Sequence, residues 1–113
     1  MFWLLIAGTL DTELPAPLPL PILLIDVEGA EVRVLKGGAA FIRAHRPLII
    51  FEFNYVSQQV FCLDDVRKEL GQDYSIWRLR SDGRLDQDFS QTWNCVGIHK
   101  DSVFAQASQK WLA

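Results

Sequence analysis

Apolar and polar positions follow three different rhythms along this chain, and each rhythm predicts a different element. From Ile22 to Ile25 the side chains are continuously apolar, and the run ends at Asp26. A short apolar run bounded by polar residues reads as a strand buried on both faces. Val32, Leu35, Ala39 and Ile42 then recur at spacings of three, four and three, the repeat of an amphipathic helix. Gly37-Gly38 falls inside that stretch. Two interior glycines cost about 2 kcal/mol relative to alanine, so the helix is expected to bend or break there. Arg43, His45 and Arg46 gather near its end, where cations suit the helix dipole, and Pro47 stops it. Leu48 to Phe53 is a second buried run, with Glu52 and Asn54 at its end.

The later part of the chain is read in the same way. Leu63, Val66 and Leu70 form the apolar face of a short helix, with Asp64 placed to cap its start and Gly71 to end it. Ser75 to Arg80 alternates as a strand does, and Asp82-Gly83 is a tight-turn signature. A last strand, Asn94 to His99, carries Val96 and Ile98 on one face. The order strand, helix, strand, helix, strand, strand predicts an α/β sheet that finishes in an antiparallel hairpin. Right-handed crossover makes the first two strands parallel, with their carboxyl ends at one edge. Open α/β sheets bind ligands at that edge. Asp26, Glu28, Glu52 and Asn54 all fall there, and polar, ionisable residues converge nowhere else in the chain.

The first 21 residues have a different character. Phe2 to Ala7 is apolar but far shorter than the roughly 20 residues a spanning helix needs. No Lys or Arg precedes Arg33, so the charged start of a secretory signal is missing. Pro15, Pro17, Pro19 and Pro21 alternate with apolar residues and favour an extended backbone. Residues 1–21 are therefore expected to be foreign to the domain, either as a linker or as a short strand followed by one.

Composition narrows the functional classes. The 113 residues suit one small domain, and half of them are hydrophobic. A net charge of -3, with basic residues scattered beside acids, argues against a nucleic-acid surface. Cys62 and Cys95 stand in no metal-ligand spacing and make no disulfide framework, as expected of two reduced, buried thiols in a cytoplasmic protein. His45 and His99 lie away from the acidic edge by topology. The four tryptophans follow no repeat and read as core or surface anchors.

The stretch LLIDVEGAEVRVLKGGAAFIRAHRPLIIFEFN, Leu23 to Asn54, closely resembles the signature of FkbM-family methyltransferases. An apolar strand ends in Asp-x-Glu-Gly-Ala-Glu, a helix with Val-Leu-Lys-Gly follows, and Arg-Pro leads into a strand ending in glutamate. The strand near Asn94 to Lys100 is similar to the family's last one, so the resemblance covers residues 22–101, leaving 102–113 as a tail. It implies a Rossmann-like class I methyltransferase sheet, here represented in part, by strands 4, 5, 6 and 7 with two flanking helices. It implies S-adenosylmethionine as methyl donor and a hydroxyl of a small molecule or sugar as acceptor. The family's glycine-rich cofactor loop has no counterpart before Ile22, where Gly8 is the one glycine, so no cofactor-binding residue carries over.

Two expectations follow about function. One is an O-methyltransferase, truncated and inactive as this isolated chain, in which Asp26 or Glu28 takes the acceptor's proton while Glu52 and Asn54 orient it. The other is a non-catalytic fragment or interaction domain that keeps the fold. Asp26, Glu52 and Asn54 also have the oxygen-donor character that suits Mg²⁺, but the resemblance points to a lineage not defined by a metal, and no metal ligand is assigned. Glu31 is expected to serve the start of the following helix. The uncovered edge of the first strand is expected to pair with residues 2–7, with a second copy or with another chain.

Overall fold

A computed structural model describes residues 21–26 and 29–113, and Glu28 together with residues 1–20 lies outside the described residues. The chain is α/β, with five strands in one mixed sheet. Strand β1 is Ile22–Ile25, β2 Leu48–Glu52, β3 Tyr74–Leu79, β4 Leu85–Asp86 and β5 Asn94–His99. Their order is β1-β2-β5-β3-β4. As the sequence predicts, β1 and β2 run parallel, with Ile25 beside Phe51. The other pairings are antiparallel, and β5 inserts between β2 and β3.

Alternation along the strands divides the core into two layers. Ile49, Phe51 and Phe53 face the same side as Leu23, Ile25 and Cys95, where helices α1 (Glu31–Gly37), α2 (Ala39–His45) and α3 (Leu63–Leu70) pack with Leu35, Phe41, Ile42, Val66 and Leu70. Leu48, Val96 and Ile98 face the other side, covered by Phe104 and Ala105 of helix α4 (Val103–Ala107) and by Leu112. A side-chain period of two is what lets one strand serve both layers. Gly97 sits where α3 crosses the sheet: a Cβ there would lie 3.3 Å from Leu70 Cδ1, tighter than comfortable contact.

The Gly37-Gly38 pair breaks its helix as the sequence predicts: there are two helices, divided at Gly38, whose N–H donates to the Leu35 carbonyl at 3.2 Å. Two expectations change in detail. Asp64 does not cap α3, because the helix begins one residue before it. Cys62 is the N-cap, and the Asp65 carboxylate reaches back to accept from the Cys62 N–H at 2.9 Å, while Asp64 pairs with Arg67. Residues 102–113 fold back on the sheet as α4 and a 3₁₀ turn, Ser108–Trp111, so four α-helices rather than two flank it. Leu112 bridges to Leu85 there, and the Ala113 N–H donates to the Leu85 carbonyl at 2.9 Å.

No helix among the described residues is long and apolar enough to cross a membrane. Both cysteines are free, and Cys95 is buried as expected, but Cys62 is exposed, because it stands outside the core as the N-cap of α3.

Candidate functional site at the carboxyl edge of β1 and β2

Parallel pairing fixes the starting geometry. Because Ile25 is the register partner of Phe51, the next residues, Asp26 and Glu52, emerge side by side at the carboxyl ends of their strands. The two carboxyl groups lie close together, and their interaction is the largest reason that the pKa of Glu52 is raised above the ordinary glutamate value. Partial burial and the charge of Asp26 push the same way, and Glu31 adds a smaller repulsion. Two carboxylates this close resist ionising together, so Glu52 holds its proton to higher pH than an isolated glutamate would.

Asn54 holds that pair in place. It is buried, and its Nδ2 donates to Glu52 Oε1 at 2.7 Å. Its Oδ1 accepts from the Val56 N–H at 3.0 Å, from the Ser57 N–H at 3.0 Å and from Ser57 Oγ at 3.1 Å. This is an asparagine turn that opens the 3₁₀ segment Ser57–Gln59. The backbone donors fix which end of the amide is oxygen, which leaves the NH₂ for Glu52 and draws its pKa partly back down. Asn54 is thus a positioning residue. Its oxygen is already engaged and is not a free ligand for a cation.

Glu31 is fully buried at the first position of α1, and both its carboxylate oxygens accept from the Gly29 N–H, at 2.9 and 3.0 Å. It closes the turn into the helix, as the sequence predicts, and also contributes charge to the site. Gly29 has a φ of 98°, and a Cβ on it would sit 3.0 Å from Val60 Cγ2, so this position needs glycine twice over.

Asp26, Glu52 and Asn54 are therefore gathered at one place, while Glu28 lies outside the described residues. Among the described residues no group of three or more His, Cys, Asp or Glu side chains is arranged to hold a metal ion. The histidines lie elsewhere. His45 stacks on Phe41 with ring centroids 4.6 Å apart, and His99 meets Tyr74 edge-on at 5.2 Å. The sequence reading passed over Tyr55 and gave Trp93 no role at this edge. Their signal was adjacency: Tyr55 follows Asn54, and Trp93 precedes Asn94, the register partner of Glu52.

Three backbone donors at the site are used internally. The Gly29 N–H is bound by Glu31, and those of Val56 and Ser57 by Asn54.

A search of curated proteins and of solved structures found no match to the chain. The family model for the methyltransferase FkbM domain matches residues 9–82, a span that begins within the proline-containing segment and includes β1, β2, the Asp26–Glu52 pair and β3. The chain belongs to the FkbM methyltransferase family.

Proposed function

We propose that this chain supplies the acceptor side of an S-adenosylmethionine-dependent O-methyltransferase. In this reading the Asp26–Glu52 pair takes the proton from a hydroxyl of a small molecule or sugar. The observation that carries the proposal is the carboxyl pair itself, set side by side by the parallel register of β1 and β2, with Glu52 raised above the ordinary glutamate value by Asp26. A carboxylate at a ligand-binding strand edge can accept the O–H proton as the oxygen becomes nucleophilic. Asn54 sets the carboxylate's direction through the 2.7 Å bond, and Glu28, two residues after Asp26 in sequence, is the second candidate base.

The strand order β1-β2-β5-β3 supports the reading, because it equals the order 4-5-7-6 at one end of a Rossmann-like methyltransferase sheet. Methyl donation is the cofactor's chemistry. Its binding calls for a glycine-rich loop that residues 1–21 do not contain. We place this protein in the cytoplasm, in keeping with its free thiols. The edge of β1 that is unpaired among the described residues is the place where a further strand would complete the sheet.

A second reading, a non-catalytic member that keeps the fold, is favoured by the internally satisfied N–H groups around the site. Two measurements separate them. Isothermal titration of the chain with S-adenosylmethionine should show no binding tighter than about 10 µM, roughly -7 kcal/mol. When a segment bearing a cofactor loop is supplied and turnover appears, Glu52→Gln and Asp26→Asn should each lower it about 10²–10⁴-fold. Full turnover in both variants would remove the pair from the chemistry and leave Glu28→Gln as the next variant to measure.

A further inference from the structure

Seven large apolar side chains stand exposed among the described residues, and four of them, Tyr55, Val56, Val60 and Trp93, lie on two loops at the carboxylate edge. Each is tied to the site by the backbone. Tyr55 and Val56 follow Asn54, and the Val56 N–H is held by the Asn54 side chain. Val60 packs against Gly29 in the turn after β1. The Trp93 carbonyl accepts from the Phe53 N–H at 2.9 Å, one residue beyond the pairing of Glu52 with Asn94. Tyr55 is 73% exposed and Trp93 67%. Aromatic rings left in water at the rim of a polar site are a recognition surface rather than a packing element.

We propose that Tyr55 and Trp93 form a stacking subsite for a cyclic polyol, a pyranose-type ring that lays its C–H face on the aromatics and turns its hydroxyls to Asp26 and Glu52. This rests on reading the carboxyl edge as the acceptor site. The chemistry selects among acceptor classes. A wholly apolar ring would cover the carboxyl groups without hydrogen-bonding them. A linear polyol has the hydroxyls but no face to stack. A nucleic acid would bring phosphates to a carboxyl pair in a chain of net charge -3. A cyclic polyol meets both halves of the surface at once.

The test uses the chain alone and needs no turnover. Saturation-transfer NMR is run with the methyl glycosides of glucose, galactose and mannose, and with sorbitol and cyclohexanol as comparisons. At least one glycoside should receive saturation at its ring C–H protons, with sorbitol and cyclohexanol several-fold weaker. Tyr55→Ser and Trp93→Ser should each weaken the glycoside roughly three- to tenfold, the range of a single aromatic contact. Both side chains are exposed, and circular dichroism checks that the variants keep their fold. A glycoside signal unchanged in the double variant overturns the proposal, as do equal binding of sorbitol and binding of no probe. So does a dimer, seen by light scattering, that the same two substitutions dissociate. If stacking holds but Asp26→Asn and Glu52→Gln keep full turnover in the completed enzyme, the subsite stands and the catalytic reading fails. If stacking fails while those variants lose turnover, the reverse is true.

Discussion

Asn54 shows how much a single side chain contributes at this edge. It satisfies two backbone N–H groups and one hydroxyl, and it aims Glu52. Asn54→Ala should destabilise the fold by about 1–3 kcal/mol for the buried donors it strands, measured by urea unfolding. The Glu52 pKa offers a sharper measurement, followed by carbon-13 NMR of the side-chain carboxyl. Asp26→Asn should lower it, since the pairing with Asp26 is the largest cause of the elevation. Asn54→Asp should raise it, because an acceptor replaces a donor. A group whose pKa is raised on folding favours the folded state below its unfolded value, and that contribution is lost as pH rises through the folded value. Asp26→Asn should therefore increase stability near neutral pH while lowering any activity, the pattern expected of a functional rather than a structural pair. These residues were legible because four polar side chains ended two apolar runs. The pairing of Asp26 with Glu52 was not legible, because it depends on the register between strands more than 20 residues apart in sequence.

Helices and strands were read from periodicity, and the differences arose where a local rule had a competitor. The Gly37-Gly38 pair signalled a break, and the chain divides there. The cap of α3 was misplaced by two residues because Asp65, at the third helical position, satisfies the Cys62 N–H more directly than Asp64 could. Strand β4 is two residues long and carried no alternation to detect, yet it anchors the hairpin through Asp86. Arg78 Nε donates to Asp86 Oδ1 at 2.7 Å, and Arg78 Nη2 donates to Oδ2, a two-pronged pair. The Arg78 guanidinium holds the Asp86 carboxyl down at about 2. Stability from this pair is present above the unfolded aspartate value near 4 and is lost as pH falls through about 2. Asp86→Asn should flatten that acid-side loss in unfolding measured from pH 5 to 2, and an unchanged acid profile would remove the pair from the account. At the other end of the sheet, Gly29→Ala should destabilise by about 1–3 kcal/mol, because its φ of 98° and its contact with Val60 both oppose a side chain. Adding Val60→Ala should recover only part of that loss by the same urea assay, since it relieves the contact and leaves the backbone conformation unchanged.

Taken whole, the molecule has two unequal sheet margins. One ends in β4, short and covered by the chain's own end at Leu112. The other ends in β1, which pairs with β2 alone among the described residues and leaves Leu24 44% exposed. Twenty residues precede Pro21, and Phe2 to Ala7 has the apolar character to lie along that margin. Deleting residues 1–14 should lower solubility or raise the oligomeric state in light scattering. A soluble monomer of unchanged stability would show that the margin does not require a partner. The sheet's interior has a different consequence. Strand β5 follows β3 and β4 in the chain yet lies between β2 and β3. While the ribosome is still making residues before Asn94, β1-β2 and the β3-β4 hairpin have no strand joining them, and the apolar faces of both wait uncovered. Long-range pairing of this kind is slow and prone to aggregation while incomplete. A nascent chain stalled ahead of β5 should therefore be a chaperone client, and emergence of β5 is the event that converts two sticky fragments into one sheet.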